Sequence, residues 1–261
     1  MRDFFRGQTV LVTGASSGIG REMATDLGAR GARVLLVARS EGALHTVADE
    51  VRQEGGEAAV FVHDLEPGGA SEALVDAVEA AGETVDVLVN NAGFGIQGPL
   101  LEHDAVQAEA MVGLNALAVT GLTARLVPGM VARGRGGVLT VASVAAFVPA
   151  PRFAVYAATK AYALRFSEAL HAELKRTGVH VSCLCPGPVR TRFAERAGID
   201  DAFFDGALAA DRVAREGLDG LARNRRVVVP GVLNKVQRVL TRLVPTAPTM
   251  AVTEAVMRRA G

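Results

Sequence analysis

The sequence predicts an α/β fold built on a doubly wound parallel sheet, and three observations carry that expectation. Short apolar runs alternate with helical stretches from Gln8 to Cys185, a glycine-rich turn joins the first run to the first helix, and polar residues recur where the runs end. Strands covered on both faces read as continuous apolar runs, as Val10-Leu11-Val12, Val34-Leu35-Leu36-Val37 and Val87-Leu88-Val89 do here.

The first strand runs from Gln8 to Thr13 and stops at Thr13-Gly14-Ala15-Ser16-Ser17-Gly18-Ile19-Gly20, after which Arg21 to Arg30 has helical periodicity. Strand, glycine turn and helix in that order let backbone N–H groups and the positive helix end face a pyrophosphate. Gly14 makes the tight turn, and Gly18 and Gly20 allow close approach. The alternation continues with a strand at Arg33 to Ala38, a helix at Glu41 to Glu54, a strand at Ala58 to Val62, a helix at Ala70 to Ala81 and a strand at Val85 to Val89. Asp104 to Arg133 reads as one long helix broken midway by Asn115, a residue disfavoured inside a helix unless its amide finds partners. A fifth strand, Gly137 to Ala142, ends at Ser143, and a helix follows from Tyr156 to about Thr177. A sixth strand, Val179 to Cys185, gives way to Pro186-Gly187-Pro188, which cannot continue a strand.

With 261 residues, 49% of them hydrophobic and 21% charged, the chain fits one large domain with an ample core. Its 28 basic and 28 acidic residues balance, so net charge implies no nucleic-acid partner. The start, Met1-Arg2-Asp3-Phe4-Phe5-Arg6, does not read as a secretory signal, no run of eighteen uninterrupted apolar residues occurs, and a soluble cytoplasmic protein is expected. Cys183 and Cys185 would point the same way from a strand, but no further Cys or nearby His completes a metal site, so they are expected to be buried small hydrophobes and no metal is expected. The five histidines show no ligand spacing and are expected on solvated element ends.

Tyr156-Ala157-Ala158-Thr159-Lys160 sets a phenol and an ammonium on one helix face, in a chain with two tyrosines and three lysines. A neighbouring cation stabilises a phenolate, so Lys160 is expected to lower the Tyr156 pKa toward neutrality, where proton exchange with an alcohol or carbonyl oxygen is favoured. The second strand ends Ala38-Arg39-Ser40 without the acid that binds the ribose hydroxyls of NAD. Arg39 suits a 2′-phosphate instead, because a planar guanidinium pairs with phosphate oxygens. A solvated Arg opening a helix is the competing account there, and a satisfied core amide is the competing account for Asn115. Asp64 closes the third strand and Asn90-Asn91-Ala92-Gly93 the fourth, so polar groups collect at the carboxyl edge of the sheet, where open α/β sheets bind ligands.

Thr13-Gly14-x-x-x-Gly18-x-Gly20, Asn90-Asn91-Ala92-Gly93, Asn115, Ser143, Tyr156-x-x-x-Lys160 and Pro186-Gly187, in that order, make the chain resemble the single-domain short-chain dehydrogenases/reductases between Thr13 and Thr191. The resemblance implies a Rossmann-type fold and hydride transfer between the nicotinamide C4 and a carbonyl or alcohol carbon; with Arg39, the cofactor expected is NADP(H). Residues 1–261 are expected to form one domain, with a substrate loop at 190–210 and a C-terminal tail at 230–261. By resemblance, Tyr156 is the general acid/base, Ser143 orients the substrate oxygen, Lys160 holds the nicotinamide ribose and Asn115 anchors a proton-relay water. Cofactor contacts are implied for Gly14, Ser16, Ser17, Gly18, Ile19, Gly20 and Arg39, for Asp64 and Leu65 at the adenine, for Asn91, Ala92 and Gly93, for Tyr156 and Lys160, and for Val189 and Thr191 at the carboxamide. A homodimer or homotetramer acting on a small carbonyl or alcohol compound is expected, with reduction of a lipophilic ketone, 3-oxoacyl or steroid-like substrate. Two other readings fit less well: an NADP-binding sensor or scaffold need not keep Asn115, Ser143, Tyr156 and Lys160 together, and an epimerase or dehydratase of the longer branch has another glycine spacing and a larger substrate domain.

Phe94, Phe147, Val148, Phe193, Phe203 and Phe204 suggest an apolar substrate pocket or core, and Arg152, Arg190 and Arg192 could meet a carboxylate or a thioester carrier. The tail is asymmetric. Between Leu221 and Gly261 there are eight basic residues against Glu254 alone, a local charge of +7. Within it Leu233, Val236, Val239, Leu240, Leu243 and Val244 recur at helical spacing, as in an amphipathic basic helix. Such a helix could lie on an anionic bilayer, or its stripe could cover the pocket or a subunit interface.

Overall fold

The structure, a computed structural model, describes residues 4–191, 193, 197–200, 204 and 206–259. Its strands are β1 (Thr9–Thr13), β2 (Arg33–Ala38), β3 (Glu57–Val62), β4 (Val87–Asn90), β5 (Gly136–Val141), β6 (Val179–Leu184) and β7 (Val227–Val228). They pair in parallel as one sheet in the order β3-β2-β1-β4-β5-β6-β7. The order reverses between β1 and β4, which opens a crevice at the carboxyl edge on that line. Six strands match the sequence expectation to within two residues at their ends. The seventh, two residues long, has too little pattern to be read.

Helices α1 (Gly18–Ala29), α2 (Glu41–Gln53) and α7 (Ala210–Ala222) cover one face, where Val10, Val12, Val34 and Leu36 meet Met23, Leu27, Leu44 and Leu218. Helices α3 (Ala70–Ala80), α4 (Ala105–Val112), α5 (Val119–Ala132) and α6 (Ala154–Glu173) cover the other, where Leu11, Leu35, Leu88 and Val138 meet Leu74, Met111, Leu122 and Met130. Successive residues of each central strand thus enter opposite cores, the period-two alternation of a sheet buried on both sides. The chain closes with α8 (Val232–Leu243) and α9 (Thr246–Arg259).

The break expected at Asn115 is a π-helical segment, Gly113–Ala118, between α4 and α5. The continuous stretch Ala105–Ala132 is long and apolar enough by composition to cross a bilayer, but Met111, Leu114, Ala118, Leu122 and Met130 place its apolar side in the core. Cys183 and Cys185 are fully buried with free thiols. Three histidines stand near element ends as expected but are half-buried and bonded rather than solvated: His63, His171 and His180 hold backbone carbonyls of Ala70, Val181 and Leu221 at 2.8, 2.7 and 3.0 Å. They brace the fold.

Candidate active site

The glycine turn comes first because its geometry depends on few atoms. Gly14 has φ +65, and a Cβ there would lie 2.9 Å from the Ala92 Cα; Gly18 has φ +56, and a Cβ there would lie 3.0 Å from the Thr191 side chain. Both positions therefore combine a left-handed backbone with close approach. Asn91 Nδ2 donates to Thr13 O at 2.9 Å and to Gly14 O at 3.2 Å, while the Asn91 and Ala92 amides each donate to Thr13 Oγ1 at 3.0 Å. The Asn91 amide thus holds the turn. Helix α1 begins inside the turn, at Gly18, three residues earlier than the sequence suggested, with Ser17 as an N-cap whose side chain makes no capping bond and no acid in the first turn. Its positive end therefore faces the crevice without a side-chain counter-charge, a cradle suited to an anion.

A cavity of about 760 Å³ runs along this edge. It is lined by Gly14, Ser16, Ser17, Gly18, Ile19, Arg39, Asp64, Leu65, Asn91, Ala92, Gly93, Ser143, Tyr156, Lys160, Val189 and Thr191. Of the expected site residues, only Gly20 and Asn115 lie behind the wall. Gly20 sits beneath the turn, where a Cβ would overlap Gly14 O and the Asn91 amide. Asn115 is buried and its side chain is fully engaged: it accepts from Phe94 N at 3.1 Å and donates to Phe94 O at 2.9 Å and Thr159 Oγ1 at 3.0 Å. Its amide therefore has the partners that the satisfied-core account requires.

Ser143 caps a short 3-10 turn, Val144–Phe147, accepting from Ala145 N at 3.1 Å. Tyr156, in the first turn of α6, stacks on Phe153 with ring centroids 4.3 Å apart, and Phe193 is 5.4 Å away. Lys160 Nζ donates to Val141 O at 2.9 Å and lies 5.7 Å from the Tyr156 ring centroid. Gly93 permits this crowding, since a Cβ there would meet Asn115 Oδ1 at 2.7 Å and Lys160 Nζ at 3.2 Å. The expected lowering of the Tyr156 pKa is not what these residues produce. Burial pushes the phenol up to about 12, against a hydrogen bond with Ser143 that lowers it, and burial draws Lys160 down to about 8. Desolvation disfavours both charged forms and is the largest influence on each.

At the adenosine end, Arg39 Nη1 donates to Glu66 Oε1 at 3.0 Å and lies 3.8 Å from Asp64 Oδ2. Glu66 was not foreseen, because nothing in the sequence ties it to Arg39 across two strands. At the other end the wall is apolar: Phe94, Val148, Phe153, Phe193, Ile199 and Phe204, closed by Val252, Val256 and Met257 of α9. Gln97 Nε2 anchors that helix by donating to Met257 O at 2.6 Å. Phe147 is not in the wall; it lies under Arg238, with its ring centroid 5.5 Å from the guanidinium carbon. Arg152 and Arg190 do not line the cavity either, so the anion-binding role considered for them is not supported by their placement. Phe203 and Arg192 lie outside the described residues.

Fold, glycine turn and convergent Ser, Tyr and Lys define a dinucleotide-binding α/β protein of the dehydrogenase type. The chain belongs to the short chain dehydrogenase family, whose model matches residues 8–201. It is 34% identical over 198 residues to the oxidoreductase EphD of Mycobacterium tuberculosis, covering 76% of this chain and 33% of that protein, so it spans about a third of that relative's length. It is 31% identical to the ketoacyl reductase HetN of Nostoc over 94% of this chain and 82% of that one. Among solved structures, a short-chain dehydrogenase from Sphingobium yanoikuyae in complex with NADPH aligns with a TM-score of 0.79 and 31% identity, over 92% of this chain and 97% of that one. Another, from Burkholderia phymatum in complex with NAD, aligns with a TM-score of 0.81 and 28% identity, over 91% and 93%.

Proposed function

We propose that the chain is an NADP(H)-dependent oxidoreductase that reduces a lipophilic ketone or 3-oxoacyl compound, the bound nicotinamide supplying the hydride. The observation that carries the reading is the convergence of Ser143, Tyr156 and Lys160 on one cavity whose other half is the anion cradle of α1. A phenol held near 12 is protonated at neutral pH and acts as a general acid, which suits reduction of a carbonyl more than oxidation of an alcohol. Ser143 hydrogen-bonds the phenol and is placed to orient the same carbonyl oxygen. Lys160, fixed to Val141 O, is the group for the nicotinamide ribose. Arg39 supports NADP(H): it stands where an NAD-binding chain would carry an acid, and it is about half exposed at the cavity edge. The aromatic and aliphatic far wall supports a lipophilic substrate. HetN's name as a ketoacyl reductase agrees with that class.

The test is turnover with NADPH and a panel of aliphatic and aromatic ketones and 3-oxoacyl thioesters, for wild type and Tyr156→Phe. The variant loses only the hydroxyl, so turnover is expected to fall by about a hundredfold or more with NADPH binding retained. Near-normal turnover in the Phe variant would refute the assignment.

A further inference from the structure

Helix α8 is inside out. Three of its polar residues turn inward: Asn234 Nδ2 donates to Pro230 O at 2.8 Å, Arg238 stacks over Phe147, and Asn234, Arg238 and Thr241 are all partly buried. Its aliphatic residues turn outward, with Val232, Leu233, Val236, Val239 and Leu240 exposed by 73, 85, 50, 58 and 51%. At 3.6 residues per turn these five form one contiguous stripe. A helix resting on a soluble core buries its aliphatic side, so a reversed one marks a surface made for contact. Helix α9 adds apolar surface beside the cavity, where Val252 and Val256 line its wall and are also 65 and 44% exposed.

We propose that this face seats on an anionic lipid surface. Charge favours this over a second copy of the chain: residues 232–259 hold five basic side chains against Glu254, a net +4, with Lys235 exposed beside the stripe, and a two-fold contact would bring two such segments together. Anionic headgroups neutralise the charge. Lys235, exposed at the edge of the stripe, can extend its ammonium to headgroups while Val236 and Val239 enter the acyl boundary. Docking of this kind stands on the surface alone. Only its corollary, that a lipophilic substrate reaches the mouth without crossing water, rests on the proposed function.

Flotation of the full chain with phosphatidylcholine vesicles, with and without roughly a third of phosphatidylglycerol, tests the proposal. Binding is expected to the anionic vesicles only, reduced about tenfold or more at molar salt. The combined change Leu233→Asp, Val236→Asp and Leu240→Asp alters only exposed positions and should abolish flotation while leaving turnover of a water-soluble ketone unchanged. Lys235→Glu, milder still, should weaken binding severalfold. Wild-type protein that does not float, or a triple variant that floats as well as wild type, overturns the proposal. So does wild-type protein that ignores anionic vesicles but dissociates into smaller species, by light scattering, when the triple change is made.

Discussion

Lys160 should destabilise the fold that needs it, and pH can measure by how much. The residue is 5% exposed, and its ammonium has one backbone carbonyl at 2.9 Å as its hydrogen-bond acceptor and is drawn by burial from 10.5 to about 8. The folded value lies below the unfolded one, so between pH 8 and 10.5 the unfolded chain holds the extra proton and stability rises with pH. Below pH 8 the penalty is at its full size, about 3 kcal/mol for a shift of this order. Lys160→Met keeps the aliphatic stem and removes the charge; the lost hydrogen bond returns about 1 kcal/mol of instability, leaving a net gain near pH 7 of roughly 2 kcal/mol. From pH 7 to 9 wild type should recover roughly 1 kcal/mol relative to the variant, because Lys160 sheds most of its charge in that interval. Urea unfolding of both proteins at pH 7, 8 and 9 reads this directly. The comparison cancels every other titrating group. Turnover of the variant should be lost even as its stability rises, the trade expected where function requires a buried charge. A wild-type-minus-variant difference that stays constant with pH would refute the reasoning.

Arg39→Asp should weaken NADPH by about tenfold or more while sparing NADH, since a guanidinium–phosphate pair contributes roughly 1.5 to 3 kcal/mol; fluorescence titration of both nucleotides checks it, and a wild type that prefers NADH would contradict the role given to Arg39. Gly20→Ala would drive a methyl into Gly14 O and the Asn91 amide, so it should lower stability by about 1 to 3 kcal/mol and weaken nucleotide binding together, whereas unchanged binding would separate Gly20 from the cradle. With the phenol near 12, alcohol oxidation should rise about tenfold per pH unit from pH 7 to 9 where proton transfer limits it, while ketone reduction changes little with the phenol's state; an oxidation rate level across that range would show the phenol titrating much lower.

The parts of the site carried by local sequence were legible. Gly14, Gly18, Ser143, Tyr156 and Lys160 announce themselves by type and spacing, because a turn, a strand end and one helix face are short-range geometry. Asn115 was legible as an anomaly, an amide in an apolar helix, and the π segment with its bonds to Phe94 and Thr159 gives the physical reason. What joins distant positions was not legible. Arg39 meets Glu66 only because β2 and β3 lie side by side, Gln97 meets Met257 across 160 residues, and α9 closes the far wall although its helix carries Pro248 and little periodicity.

The sign of the Tyr156 shift belongs to this second kind. Spacing alone places a cation near the phenol, and in water that would stabilise the phenolate. In the folded chain Phe153 and Phe193 flank the ring, and Lys160 reaches past it to Val141 O. The same packing that fixes the two groups in register removes the water that would have solvated their charges, so each drifts toward its neutral form. An i, i+4 pair therefore tells which groups work together, while their proton affinities are set by residues that the spacing does not name.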